Sequence, residues 1–250
     1  MRLQHTGTRC MKLAGVSVER AGRLLLSGLD CTLHTGEIIV VLGPNGAGKS
    51  SLLLALAGLI SASGGIEVLG KPVSSYSRND LTRQLAWQGE LPPTEFGLSV
   101  RQRLELAADT ISESIESTAA VMDIVPLLAC PLGELSSGER QRVELSALML
   151  RETPIWLLDE PTAHLDLKHQ ICSINMLKAQ RDHGRAIITV LHDIQQAMAV
   201  ADHLILIDGL GGAEYGAADV LFDSDRLSRL FDAPLVRHGT LLVPDYKGVT

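Results

Sequence analysis

Along the first sixty residues the spacing of apolar positions changes twice. KLAGVSVER (residues 12–20) alternates and reads as an edge strand, and LLLSGLDCTL (24–33) reads as a second strand closed by HTGE. EIIVVL (37–42) is a short unbroken apolar run, the pattern of a strand buried on both faces. After a glycine-rich loop, SSLLLALAGLI (50–60) has the length and composition of a helix. SASGG is a turn, GIEVLGKPV (65–73) a strand with a turn, and SRNDLTRQLAW (77–87) begins helically.

Residues from about 95 to 150 read as helices with polar faces: LSVRQRLELAADTI, SIESTAAVMDIVPLL and ERQRVELSALMLRE. From residue 154 buried strands return. IWLLDE, AIITVLHD and HLILID are separated by the helical stretches DLKHQICSINMLKAQRDHG and IQQAMAVAD. That β-α-β-α-β order implies a parallel sheet. The expected class is therefore α/β: a mostly parallel core, an antiparallel N-terminal portion, and a helical insertion. The division is a single domain over 1–250, with a core from 11–89 and 151–250 and a helical subdomain over 90–150. RHGTLLVPDY (237–246) reads as a short terminal strand pair.

Composition narrows the picture. The chain has 250 residues, 46% hydrophobic and only 3% aromatic, so its core must be built from Leu, Ile, Val and Ala. A net charge of −7 argues against sequence-independent nucleic-acid binding. Cys10, Cys31, Cys130 and Cys172 form no CxxC pair and read as reduced structural thiols. MRLQHTGTRC lacks the apolar stretch of a signal peptide, and LLLALAGLI is far short of the roughly 20 residues of a membrane span. Met11 offers a second start, with the first ten residues as a tail.

GPNGAGKSS (43–51) carries the chemistry. It matches G-x-x-x-x-G-K-[ST] between a strand and a helix. Gly43, Gly46 and Gly48, with Pro44, Asn45 and Ala47 between them, let successive N–H groups turn toward phosphate oxygens. The following helix adds its positive end. Lys49 reaches the β- and γ-phosphates, Ser50 is placed to ligate Mg²⁺, and Ser51 to touch the α-phosphate. The implied ligand is a nucleoside triphosphate with Mg²⁺. IWLLDEP (155–161) then ends a strand in two carboxylates. Asp159 is placed on the metal side and Glu160 as general base toward an attacking water.

LSSGERQRVELSALML (135–150) resembles the signature segment of ATP-binding cassette (ABC) ATPases. DEPTAHLD (159–166) resembles that family's acidic pair and D-loop, and VLHD (190–193) its switch histidine, His192. Four motifs stand in the family's order over nearly the whole chain. The resemblance implies a P-loop ATPase that binds ATP and Mg²⁺. Ser136 and Gly138 would contact the ATP of a second copy in a head-to-tail homodimer, and His192 would contact the γ-phosphate. Gln88 is expected to reach Mg²⁺ and water, although an ungapped comparison puts Glu90 at that point.

Three features depart from the family pattern. Ser137 stands where glycine is usual. Arg20 stands where an adenine-stacking aromatic is usual, and would stack by its guanidinium plane. His164 and His169 have no evident chemical task. A single cassette without a span resembles bacterial importer subunits, and the SGERQRVELSALMLRETPIWLLDEPTAHLDLKHQ stretch resembles those serving iron–siderophore, haem and cobalamin uptake. The implied partners are integral-membrane permease subunits and, indirectly, an extracytoplasmic substrate-binding protein. The implied place is the cytoplasmic side of the inner membrane, peripherally. The alternative is a soluble ABC-type ATPase acting on a non-transport target; zinc modules, coiled-coil insertions and a second cassette, which would favour it, are absent from the sequence. An unrelated P-loop kinase or GTPase would leave LSSGE and His192 unexplained, and NKxD is absent.

Overall fold

A computed structural model describes residues 7–89, 91, 97–108 and 115–246. Chain order runs β1 (Arg9–Arg20), β2 (Arg23–His34), β3 (Ile38–Leu42), α1 (Lys49–Leu56), β4 (Ser63–Val68), β5 (Lys71–Pro72), α2 (Arg78–Gln84) and β6 (Leu85–Gln88). Helices α3 (Val100–Ala107), α4 (Ile115–Val121) and α5 (Ser137–Met149) follow. The α/β order then resumes with β7 (Ile155–Asp159), α6 (Leu167–Asp182), β8 (Ala186–Val190), α7 (Ile194–Val200) and β9 (His203–Ile207). The chain ends with β10 (Ala213–Ala217), α8 (Ala218–Leu221), α9 (Ser224–Phe231), β11 (Leu235–His238) and β12 (Leu241–Pro244).

The central sheet has the order β10-β9-β3-β8-β7-β6, parallel throughout except for β10. A second sheet, β2-β1-β4-β5, is antiparallel. The unbroken apolar runs are explained by two cores, one on each face of the central sheet. Ile38, Val40, Leu42, Trp156 and Leu158 join the residues of α3, α4 and α5 on one face. Ile39, Val41, Ile155 and Leu157 join α1 and the antiparallel sheet on the other. Alternate residues of one strand thus serve opposite layers, and neither face can be polar.

Most expected elements are present among the described residues, with differences. The helix expected over SIESTAAVMDIVPLL ends at Val121, where Asp123 takes φ 56° and turns the chain, and β10, α8 and α9 were not expected from the apolar pattern. Helix α1 stops at Leu56 rather than running to Ile60, because Gly58 takes φ 67° and turns the chain. The segment that begins helically at Arg78 ends at Gln84, and Leu85–Gln88 becomes a strand paired in parallel with Ile155–Leu158. Four residues carry no readable period, so the pairing partner decides their conformation. The terminal hairpin β11–β12 matches the expected strand pair.

The strand order sets the chemistry. β3, β8 and β7 are neighbours and parallel, so the loops that leave their C-terminal ends emerge side by side. Those loops hold Gly43–Gly48, His192 and the Asp159–Glu160 pair. This is the edge of an α/β sheet at which ligands bind.

Candidate active site

The phosphate loop joins β3 to α1. Gly48 occupies the N-cap of α1 at φ 105°, and a Cβ there would stand 2.8 Å from the Leu25 Cβ. Only glycine fits both the backbone and the space. No side chain caps α1, so the N–H groups of its first turn face the loop. The Lys49 ammonium crosses the loop and donates to the carbonyls of Gly43 and Pro44, 2.9 Å each. Lys49 is 6% exposed. Burial lowers its pKa, while the charges of Glu160 and Asp159 act to raise it.

Asp159 ends β7. Burial pushes its carboxyl up, the Ser50 hydroxyl donates to it and opposes that shift, and the Glu160 charge adds to it. Its Oδ1 is buried without a hydrogen-bond partner among the described residues. A buried, unpartnered carboxylate oxygen beside a hydroxyl is a hard-oxygen donor set of the kind Mg²⁺ takes. Ser50, Asp159 and Glu160 share a cavity of about 190 Å³, so the residues fit such an ion.

Glu160 follows in the left-handed region, at φ 53°. Its N–H donates to the Val190 carbonyl at 3.2 Å, which ties the turn to β8. This aims the side chain back across β8, where Oε1 lies 2.5 Å from His192 Nε2. The two residues are 32 apart in sequence and meet because β7 and β8 are adjacent.

Lys49, Ser50, Ser51, Glu160 and His192 line one open cleft of about 760 Å³, together with Asn45, Gly46 and Gly48. Gln88 is not brought there. It is a buried residue of β6, level with Leu158, and its Nε2 donates to the Gly89 carbonyl. It lines a separate groove with Trp87 and Arg103. Gly89 and Leu91, not Gln88, enter the wall of the Asp159 cavity. Glu90 lies outside the described residues.

Ser136 and Gly138 are not part of the cleft wall either. Ser136 caps α5 in a reciprocal capping box with Glu139, the outcome of the S-x-x-E spacing. The Ser136 hydroxyl and N–H donate to Glu139 and hold its carboxyl below the usual carboxylate range. Gly138 packs so closely that a Cβ would lie 2.7 Å from the His164 carbonyl oxygen. Gly138→Ala should therefore push α5 off the loop after Glu160. We expect a loss of about 1–3 kcal/mol, a fall of several degrees in Tm. Thermal unfolding of the purified chain checks this, and an unchanged Tm would count against the close packing.

Some site neighbours were not legible in the sequence. Gln141, 3% exposed, donates to the Pro161 carbonyl at 3.1 Å and ties α5 to the acidic turn. Buried Arg142 donates to the carbonyls of Met122 and Asp123. Both stand in the polar run GERQR, which reads as a solvated helix face, so no local signal marked them as buried. Thr162 donates to Gln196, which donates to Gln170, linking the acidic turn to α7 and α6. His164 takes φ 63° and supplies the carbonyl that meets Gly138. His169 stands between two carboxylates, 2.8 Å from Asp166 and 3.7 Å from Asp123.

The sequence profile described as "ABC transporter" matches residues 26–163, more than half the chain. The chain belongs to the ABC transporter family. This ABC cassette is an ATP-hydrolysing P-loop protein. It is 33% identical to the hemin import ATP-binding protein HmuV of Streptomyces coelicolor, over 93% of this chain and 89% of that one. It is 32% identical to the cobalamin import ATP-binding protein BtuD of Halobacterium salinarum, over 89% of this chain and 59% of that protein. The solved structure of cbiO1 from Clostridium perfringens, described as part of the ABC transporter complex cbiONQ, superposes with a TM-score of 0.72. It is 25% identical and covers 89% of this chain and 94% of that chain. No helix of this ABC cassette, among the described residues, is long and apolar enough to cross a membrane.

Proposed function

We propose that this chain is the ATPase subunit of a bacterial importer for haem, cobalamin or iron–siderophore complexes. The carrying observation is the meeting of Lys49, Ser50, Glu160 and His192 in one cleft, with Asp159 and Ser50 sharing the adjoining cavity. The names of the relatives, for hemin and for cobalamin import, support the cargo class.

In this reading the loop Gly43–Ser51 and the start of α1 hold the triphosphate, and Lys49 exchanges its two carbonyl partners for phosphate oxygens. Ser50 and Asp159 would hold Mg²⁺, which when bound neutralises charge on the β- and γ-oxygens. Glu160 accepts the proton of the attacking water, and His192 orients Glu160 and touches the γ-phosphate. Ser136 and Gly138 lie outside the cleft of their own chain, which supports their use on the nucleotide of a second copy in a head-to-tail homodimer. The whole chain is one ABC ATPase domain, with residues 90–150 as its helical signature subdomain.

The permease would meet the groove of about 280 Å³ between β6 and helices α3 and α5, where Trp87, Arg103, Leu106 and Glu144 stand. Leu106 is 72% exposed there. Such a partner places the chain at the cytoplasmic face of the membrane, with the substrate-binding protein acting from the far side. The test is a pull-down of tagged Glu160→Gln chain from detergent-solubilised native membranes with ATP and Mg²⁺, read by mass spectrometry. Recovery of a polytopic permease is the expected result. Recovery of soluble partners alone would overturn the importer reading and leave the ATP chemistry standing.

A further inference from the structure

Behind the pair Glu160–His192 runs a part-buried chain of hydrogen bonds that starts and ends on the loop from Glu160 to Leu165. Thr162 Oγ1 donates to Gln196 Oε1 at 2.8 Å, Gln196 Nε2 donates to Gln170 Oε1 at 3.1 Å, and Gln170 Nε2 donates to the Leu165 carbonyl at 3.1 Å. The last member fixes the polarity of the chain. A carbonyl only accepts, so Gln170 turns its NH₂ to Leu165 and its oxygen to Gln196, and Gln196 follows in the same sense. The loop needs such support. Glu160 and His164 hold φ 53° and 63°, conformations that persist only where the surroundings fix them. Gln196 lies in the first turn of α7. The Asp193 carboxylate caps that turn, accepting from the N–H groups of Gln195 and Gln196, and His192 directly precedes the cap. One side chain thus reaches from the turn of His192 to the loop of Glu160.

The contact between Glu160 and His192 is itself open to solvent. Water competes for such a pair, so it fixes its own geometry only weakly. We propose that Gln196 and Gln170 are positioning residues for ATP hydrolysis: their amides keep the Glu160–Leu165 loop in register with His192, so that breaking the chain slows hydrolysis and spares ATP binding. The inference rests on the reading of Glu160 and His192 as the hydrolytic pair. Neither amide lines the nucleotide cleft or the cavity beside Asp159, so both act through the loop and not on the nucleotide.

Gln196→Glu tests this. It keeps the shape of the side chain and the acceptor for Thr162, but sets a second acceptor against Gln170. The Gln170 amide can then serve the new carboxylate or the Leu165 carbonyl, not both. Adding Gln170→Lys supplies a group with donors only, which serves both neighbours and closes the chain again. Phosphate release by the full chain at saturating Mg²⁺ and ATP gives kcat, titration calorimetry gives the ATP Kd, and thermal unfolding reports the fold. Gln196→Glu should lower kcat about 10- to 100-fold, the scale of a catalytic group displaced by up to about 1 Å, and leave the Kd within about threefold. The double variant should regain kcat to within about threefold of wild type. A Gln196→Glu kcat within threefold of wild type overturns the proposal, as does a Kd that rises as much as kcat falls, or a double variant no faster than Gln196→Glu. Should Gln196→Glu unfold, Thr162→Val removes the first bond of the chain without adding charge. Its kcat should fall in the same way, and a wild-type kcat there overturns the proposal. Glu160→Gln, assayed alongside, marks a failure of the hydrolytic-pair reading instead, by turnover near wild type.

Discussion

Glu160→Gln lowers ATP turnover by about 100- to 10,000-fold and leaves ATP bound, the range expected for removing a general base. The substitution keeps the shape of the side chain and removes its proton acceptor. The turn beneath it is already strained: a non-glycine residue at φ 53° costs about 1–3 kcal/mol. Gln bears the same backbone cost as Glu, so folding should be indifferent to the change. The His192 contact survives as an amide–imidazole hydrogen bond, and the phosphate contacts of Lys49 and the loop are untouched. Hydrolysis is the step that would release the γ-phosphate, so the variant should accumulate as an ATP-bound dimer. Phosphate release gives the rate, and size-exclusion chromatography with light scattering, with ATP and Mg²⁺, gives the mass. A variant that stays monomeric with ATP would sink the two-copy arrangement. A variant that keeps near wild-type turnover would remove Glu160 from its assigned role.

Lys49→Ala should raise the Kd for ATP by about 100- to 10,000-fold, because two charge-assisted contacts at about 1.5–3 kcal/mol each are lost. The ammonium belongs to the phosphate loop itself, and it is nearly buried at 6% exposure. It already bonds the carbonyls of Gly43 and Pro44, so its position is set before a ligand arrives. Alanine leaves those carbonyls without that donor and the triphosphate without its nearest counter-charge. The consequence for stability is equally direct. At ATP concentrations near 100 times the wild-type Kd, binding stabilises the fold by about 2.7 kcal/mol, and the variant should lose nearly all of that increment. In a thermal scan this is a nucleotide-induced rise of about 5–10 °C that disappears. A preserved shift would show that the glycine loop is not the main nucleotide site.

Much of this site could be read before any coordinates because its causes are local. A lysine after a third glycine and an apolar strand ending in Asp-Glu each act through neighbours in the chain. Gly48 does in the structure what its spacing implies, and Ser136 takes the N-cap of α5, a role that was not expected of it. Gln88 shows the limit. Its residue type suits metal and water contact, but it stands level with Leu158 on β6 and lines a different groove from Asp159. A shift of one residue along a strand reverses the face, and no local signal reports that register.

What the sequence by itself determined is most of the elements, the phosphate loop, the acidic pair and the family. Backbone conformation near glycine, helix capping and apolar period are short-range effects, so short stretches carry them whole. Only the tertiary structure decided which loops meet. The order β3-β8-β7-β6 is not chain order, and it alone brings His192 to Glu160 and places both beside Lys49. The same is true of the approach of Gly138 to His164, the bond from Gln141 to Pro161, and the setting of Arg20 in the wall of the nucleotide cleft. Each depends on packing two layers against opposite faces of one sheet, a balance summed over the whole core rather than over any one segment.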